Sequence, residues 1–228
     1  MKKQNNSRAS QRLEEIYTII RDRICLLEYT PGMRLKEIEL ADEFKVSRSP
    51  IRQVLARLQS DGLIITRHGA GSFVTNIETE ELLKVYELRI HIADLIGKLD
   101  PIPPNDSDVD DWLEFLKEID RLEESPTRLG YARLIMTFHC LISKKTGNDM
   151  LRKIDDQLFY LTSRMWVSYS EASDWSADIQ SIRFNSSQII QSLRSGDSLG
   201  ISLAYRNAII VGAKQILQHP PSEDKQGD

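Results

Sequence analysis

The sequence predicts a mainly α-helical chain in two parts, a small helical domain closed by a β-hairpin followed by an all-α helical bundle. Three observations carry this. Apolar residues recur every three or four positions along most of the chain, the period of an amphipathic helix. The strand-like runs fall at 63–66 and 72–75, on either side of a glycine-rich turn. Charge divides near the same place: residues 1–77 carry 13 Lys and Arg against 9 Asp and Glu, net +4, and residues 78–228 carry 17 against 25, net −8.

Leu13, Ile16, Tyr17, Ile20, Ile24 and Leu27 predict a helix from about Ser10 to Glu28, which Tyr29-Thr30-Pro31-Gly32 stops. A short helix over 36–44 has its apolar side in Ile38, Leu40, Ala41 and Phe44, and Lys45-Val46 turns the chain. Ser47-Arg48-Ser49-Pro50 opens a third helix: Ser47 or Ser49 is placed to cap the free amides, and Pro50 lies in the first turn, where its missing N–H is tolerated. Ile51, Val54, Leu55 and Leu58 face inward and Asp61-Gly62 ends the helix. Beyond Asn76, six amphipathic helices are expected at about 79–98, 106–124, 128–146, 148–172, 176–195 and 197–218. The domain plan is thus a flexible start at 1–9, a helical domain with a hairpin at 10–76, a bundle at 77–218 and a flexible tail at 219–228.

Composition excludes several classes. With 40% hydrophobic and 28% charged residues the chain is neither collagenous nor wholly disordered. No apolar run approaches a membrane span and the start lacks a signal-peptide core, so a cytoplasmic protein with no membrane partner is expected. Cys25 and Cys140 lie in helical apolar patterns and read as buried core thiols. Trp112, Phe115, Phe159, Tyr160, Trp166 and Tyr169 fall at helical spacing and read as core or dimer-contact residues. The acidic run Asp106, Asp108, Asp110, Asp111 and Glu114 lacks the Gly and Glu of a calcium loop and reads as the negative first turn of a helix.

Helix, short helix, turn, helix and hairpin within some 65 residues is the order of a winged helix-turn-helix, whose third helix lies in the DNA major groove. Arg48 and Arg52 are one turn apart on its outer side, with Ser47, Ser49 and Gln53 around them. An arginine fork matches guanine O6 and N7, while hydroxyls and a helix N-terminus suit phosphate. The wing tip His68-Gly69-Ala70-Gly71 has little bulk to prevent close approach, and Lys45 and Arg67 add charge toward phosphate.

The stretches Pro31-Gly32-Met33-Arg34-Leu35, Leu40 to Arg52, Leu58 to Ile64 and Gly71-Ser72-Phe73-Val74 resemble the DNA-binding domain of GntR-family bacterial transcription regulators over roughly residues 10–76. The resemblance implies that Arg34, Arg48 and Arg52 contact operator DNA, that Ser49 touches the backbone and that the wing glycine meets the minor groove. The bundle is similar to the FCD-type ligand-binding domain of the FadR-like subfamily, on Leu88-Arg89, Phe138-His139, Thr146-Gly147-Asn148 and Ile189 to Asp197. In many such regulators one Asp and three His hold a metal. The matching positions here are Ile135, His139, Ser186 and Ala208, so one ligand of four remains and no metal or other cofactor is expected.

The expected function is therefore a homodimeric, DNA-binding transcription repressor on a palindromic operator, modulated by a small molecule in the bundle. Arg89, Ile135, His139, Arg164, Ser186 and Ala208 are the candidate effector contacts, the arginines suiting a carboxylate and Ile135 and Ala208 an apolar body. Arg133 and Arg206 read as surface salt-bridge residues. The alternative is a DNA-binding or architectural protein without effector, its degraded pocket being packed core. No phosphate loop, nucleophile elbow or Ser/His/Asp set appears, so no enzyme is expected.

Overall fold

The computed structural model of the chain describes residues 2–76, 79–169 and 175–218. It divides into two compact units, Met1–Ile77 and Glu78–Asp228. The expected tail 219–228, with His219, and the side chains of Trp166 and Tyr169 lie outside what is described.

In the first unit, α1 (Lys2–Cys25) is followed by β1 (Arg34–Leu35), α2 (Glu37–Phe44), α3 (Arg48–Ser60), β2 (Ile64–Arg67) and β3 (Gly71–Val74). Helix α1 begins earlier than Ser10 and ends before Glu28, because Leu27 takes a left-handed conformation (φ 59°) that the helix cannot continue through. Its stripe Ile16, Ile20 and Ile24 is fully buried with Leu40, Phe44, Ile51, Val54, Leu55 and Leu58 of the other two helices. Each such side chain contributes about 1.5–3 kcal/mol on leaving water, so this small unit has a core of its own. Lys45, the cap of α2, is left-handed (φ 53°, ψ 47°) and its N–H returns to Ala41 and Asp42, which makes the sharp turn into α3. The strands form an antiparallel sheet of order β1-β3-β2, with Arg34 opposite Phe73, Leu35 opposite Ser72 and Arg67 opposite Gly71. Strand β1 has no counterpart in the sequence reading: two residues show no alternation, and only pairing across the chain defines them.

The second unit is all helical: α4 (Thr79–Ile96), α5 (Asp106–Glu124), α6 (Arg128–Ser143), α7 (Asp149–Tyr169), α8 (Trp175–Ser195) and α9 (Ser198–Gln218). The acidic start of α5 is a helix end, as expected: the Asn105 side chain accepts from the Asp108 amide and Asp108 answers from the Asn105 amide. Buried Lys145 adds a 2.6 Å ion pair to Asp108. Trp112 meets Phe115 and Phe138 edge to face, with ring centroids 5.4 and 5.2 Å apart, and Phe159 and Tyr160 are buried too, so these aromatics are core. The two cysteines part company. Cys25 is buried as expected, but Cys140 is exposed, because the residue after inward-facing His139 is turned about 100° around the helix axis. None of the described helices is long and apolar enough to cross a membrane.

Candidate nucleic-acid interface and bundle cavity

The N-terminus of α3 is built as an open end. Ser47 holds the cap position with extended backbone (φ −72°, ψ 169°), yet its side chain makes no capping bond. The third helical residue, Pro50, has no N–H, so the first-turn donors are the Arg48 and Ser49 amides. With the positive end of the helix dipole they form a ready site for phosphate. Ser47, Arg48, Ser49, Arg52 and Gln53 are all exposed beside them. Lys45 is exposed at the turn. Arg52 is held from α2: its Nε donates to Glu37 Oε2 at 2.8 Å.

The wing gathers the other candidates. Gly69 and Gly71 have φ of +73° and +105°, values that side chains resist, and a Cβ at Gly71 would stand 3.3 Å from Arg34 Nε. Arg34, on β1, thus lies across Gly71, while Arg67, opposite Gly71 on β2, extends over the Phe73 ring at 5.1 Å. His68 is exposed at the tip. The residues expected to touch DNA therefore form two groups, one at the start of α3 and one at the wing. Glu37 carries no sequence signal of its own; only its pairing with Arg52 marks it out.

The bundle has a pocket of about 60 Å³ lined by Arg89, Ile135, His139, Phe159, Tyr205 and Ala208, among others. Arg164 and Ser186 are buried but do not line it; Ser186 Oγ donates to the Ile182 carbonyl at 2.7 Å, and Asn185 and Ser181 take its place on the wall. Arg89 is buried, with Nη1 on Thr162 Oγ1 at 2.8 Å and Nη2 on the Tyr205 hydroxyl at 3.3 Å. Its Nε has no partner and no carboxylate pairs with it directly among the described residues. Asp155 acts on this guanidinium through space without a direct ion pair.

His139 is not the isolated ring that the sequence suggested. It stacks on Phe159 at 3.8 Å, Nδ1 lies 3.0 Å from the Tyr205 hydroxyl, and Nε2 lies 2.8 Å from Asp156 Oδ1. The Tyr205 hydroxyl is also 3.3 Å from both oxygens of buried Asp155. One phenol proton cannot serve both His139 and Asp155, so one of them supplies a proton of its own. Burial pushes the Asp155 carboxyl up, partly offset by His139 and Arg89. Asp155 was findable in principle, since it sits on the stripe Leu151, Asp155, Phe159, Thr162 that α7 buries. This donor set does not fit a metal. Both His139 nitrogens are engaged, Ile135 and Ala208 offer no donor atom, and among the described residues no group of three His, Cys, Asp or Glu converges.

Residues 12–74 match the family model described as bacterial regulatory proteins, gntR family. The chain is 34% identical over 96 residues to the Nta operon transcriptional regulator of Aminobacter aminovorans, covering 42% of this chain and 46% of that one. It is 36% identical over 69 residues to the HTH-type transcriptional repressor RspR of Escherichia coli K12, 30% of each chain. The chain spans about half the length of the curated relatives it matches. Over 91% of its length it shares the fold of E. coli McbR/YncC, with a TM-score of 0.73 at 16% identity and 97% of that chain covered.

Proposed function

We propose that the chain is a cytoplasmic, homodimeric transcription regulator of the GntR family and its FadR-like subfamily, acting as a repressor on a palindromic operator rather than as an enzyme. The observation that carries this reading is the open N-terminus of α3, exposing Arg48 and Arg52 in a domain that matches the family. Arg48 and Arg52 read bases, Ser47, Ser49 and Lys45 meet phosphates, and Arg34, Arg67, His68, Gly69 and Gly71 serve the wing. Selection from a random duplex library tests it. The protein should enrich a two-fold-related site, and Arg48→Ala or Arg52→Ala should cost about 1–3 kcal/mol of discrimination, while Lys45→Ala weakens all sequences alike. Unchanged discrimination in both arginine variants would sink the assignment.

The bundle, an FCD-type domain in this reading, holds a small carboxylate against Arg89, with Ile135, His139 and Ala208 at the wall and Arg164 and Ser186 behind it. Its effect on DNA binding is bounded by its differential affinity for two arrangements of the protein. A cavity of about 60 Å³ and the fully engaged His139 favour a second reading, in which the bundle is packed core and the regulator takes no effector. Short carboxylates that raise the melting temperature support the first reading, and a panel without effect supports the second.

A further inference from the structure

We infer that Glu37 is a specificity-setting residue of the DNA-reading face, acting through Arg52. The inference rests on the DNA-binding reading of α3. Among the described residues, Arg52 is the candidate base-reading arginine that is paired with a carboxylate: Arg34 and Arg48 have no ion pair, whereas Arg52 Nε meets Glu37 Oε2 at 2.8 Å. Arg52 remains 64% exposed, so the contact anchors the side chain without burying it.

Two consequences follow from the atoms involved. A guanidinium offers two bidentate edges, the side edge through Nε and one Nη, and the end fork through both Nη. Glu37 occupies Nε and leaves the end fork, the pair of donors that fits guanine O6 and N7. The anchor also removes rotamer freedom from a long side chain before DNA arrives. The second consequence concerns charge. A carboxylate on a phosphate-facing surface repels DNA of every sequence, and it cancels Arg52 as a point charge for the backbone. Glu37 therefore suppresses sequence-blind binding while presenting Arg52 to a base edge. As a surface ion pair it stabilises the fold little, so its role is separable from folding.

The experiment uses the full chain, the duplex enriched by the wild-type protein, and a shuffled duplex of equal length. Glu37→Gln should bind the shuffled duplex more tightly, steepen the dependence of log K on log salt by about one unit, and narrow the enriched-to-shuffled affinity ratio about tenfold. Its melting temperature should match the wild type. Glu37→Asp, which keeps the charge, should restore the shallower salt slope. In an Arg52→Ala background, Glu37→Gln should bring no further loss of discrimination, because the residue through which it acts is gone. An unchanged ratio and slope in Glu37→Gln would overturn the proposal and leave an ordinary surface pair. Full additivity with Arg52→Ala would overturn it as well, by showing that Glu37 acts on its own. A wild-type protein that enriches no sequence would remove the DNA-reading role of this face, and the inference with it.

Discussion

Asp155 carries a pH dependence that can be stated with its sign. In the unfolded chain its carboxyl titrates near the ordinary aspartate value of about 3.9. In the bundle, burial pushes it up, so across the window between the two values the folded chain holds a proton that the unfolded chain has lost. Stability from this group is present at acid pH and falls as pH rises through that window. Asp155→Asn has no such proton to lose and can still meet the Tyr205 hydroxyl. The difference in melting temperature between variant and wild type should therefore grow in favour of the variant from acid to neutral pH, and parallel curves would show that Asp155 ionises normally. His139 gives a second residue-scale expectation. Its nitrogens are engaged by Tyr205 and Asp156, so elemental analysis should find far less than one metal per chain, and a chelator should leave the melting temperature unchanged. Stoichiometric metal bound through His139 would contradict this.

Among the elements, the wing is the one whose geometry leaves least freedom. Gly71→Ala should cost about 1–3 kcal/mol, because φ +105° suits glycine and the new Cβ presses on Arg34 Nε. Thermal melts should show the loss, and DNA binding should weaken further as Arg34 is displaced. Helices with long apolar stripes were legible in the sequence, and α5 starts and ends where its composition says, at Asp106 and Glu124. Ends set by backbone conformation were not: Leu27 turns left-handed and stops α1 short, although its side chain continues the apolar period. Periodicity likewise found which face of α6 holds His139, but it could not say that Asp155 and Asp156 on α7 would meet that ring. Such pairings depend on how helices rotate against one another, and a single sequence carries no record of it.

At the scale of the molecule, a two-fold operator needs two reading heads and the chain has one, so sedimentation of the full chain at micromolar concentration should give a dimer. A monomer that still bound the enriched duplex with full discrimination would contradict the pairing. The division into two units also predicts how the molecule melts. The first unit carries the open helix end at Arg48 and Ser49, where the Ser47 side chain does not cap the free amides. A bound phosphate would supply the missing acceptor, so on the DNA-binding reading the duplex would serve as the last piece of that helix as well as its target. Amide hydrogen exchange at the start of α3 should slow on DNA binding by more than burial of the loop-free middle of the helix explains, and the first unit should melt later in the complex. On the DNA-binding reading the free domain is in that sense an unfinished structure, and part of its affinity for DNA would be the free energy of completing it.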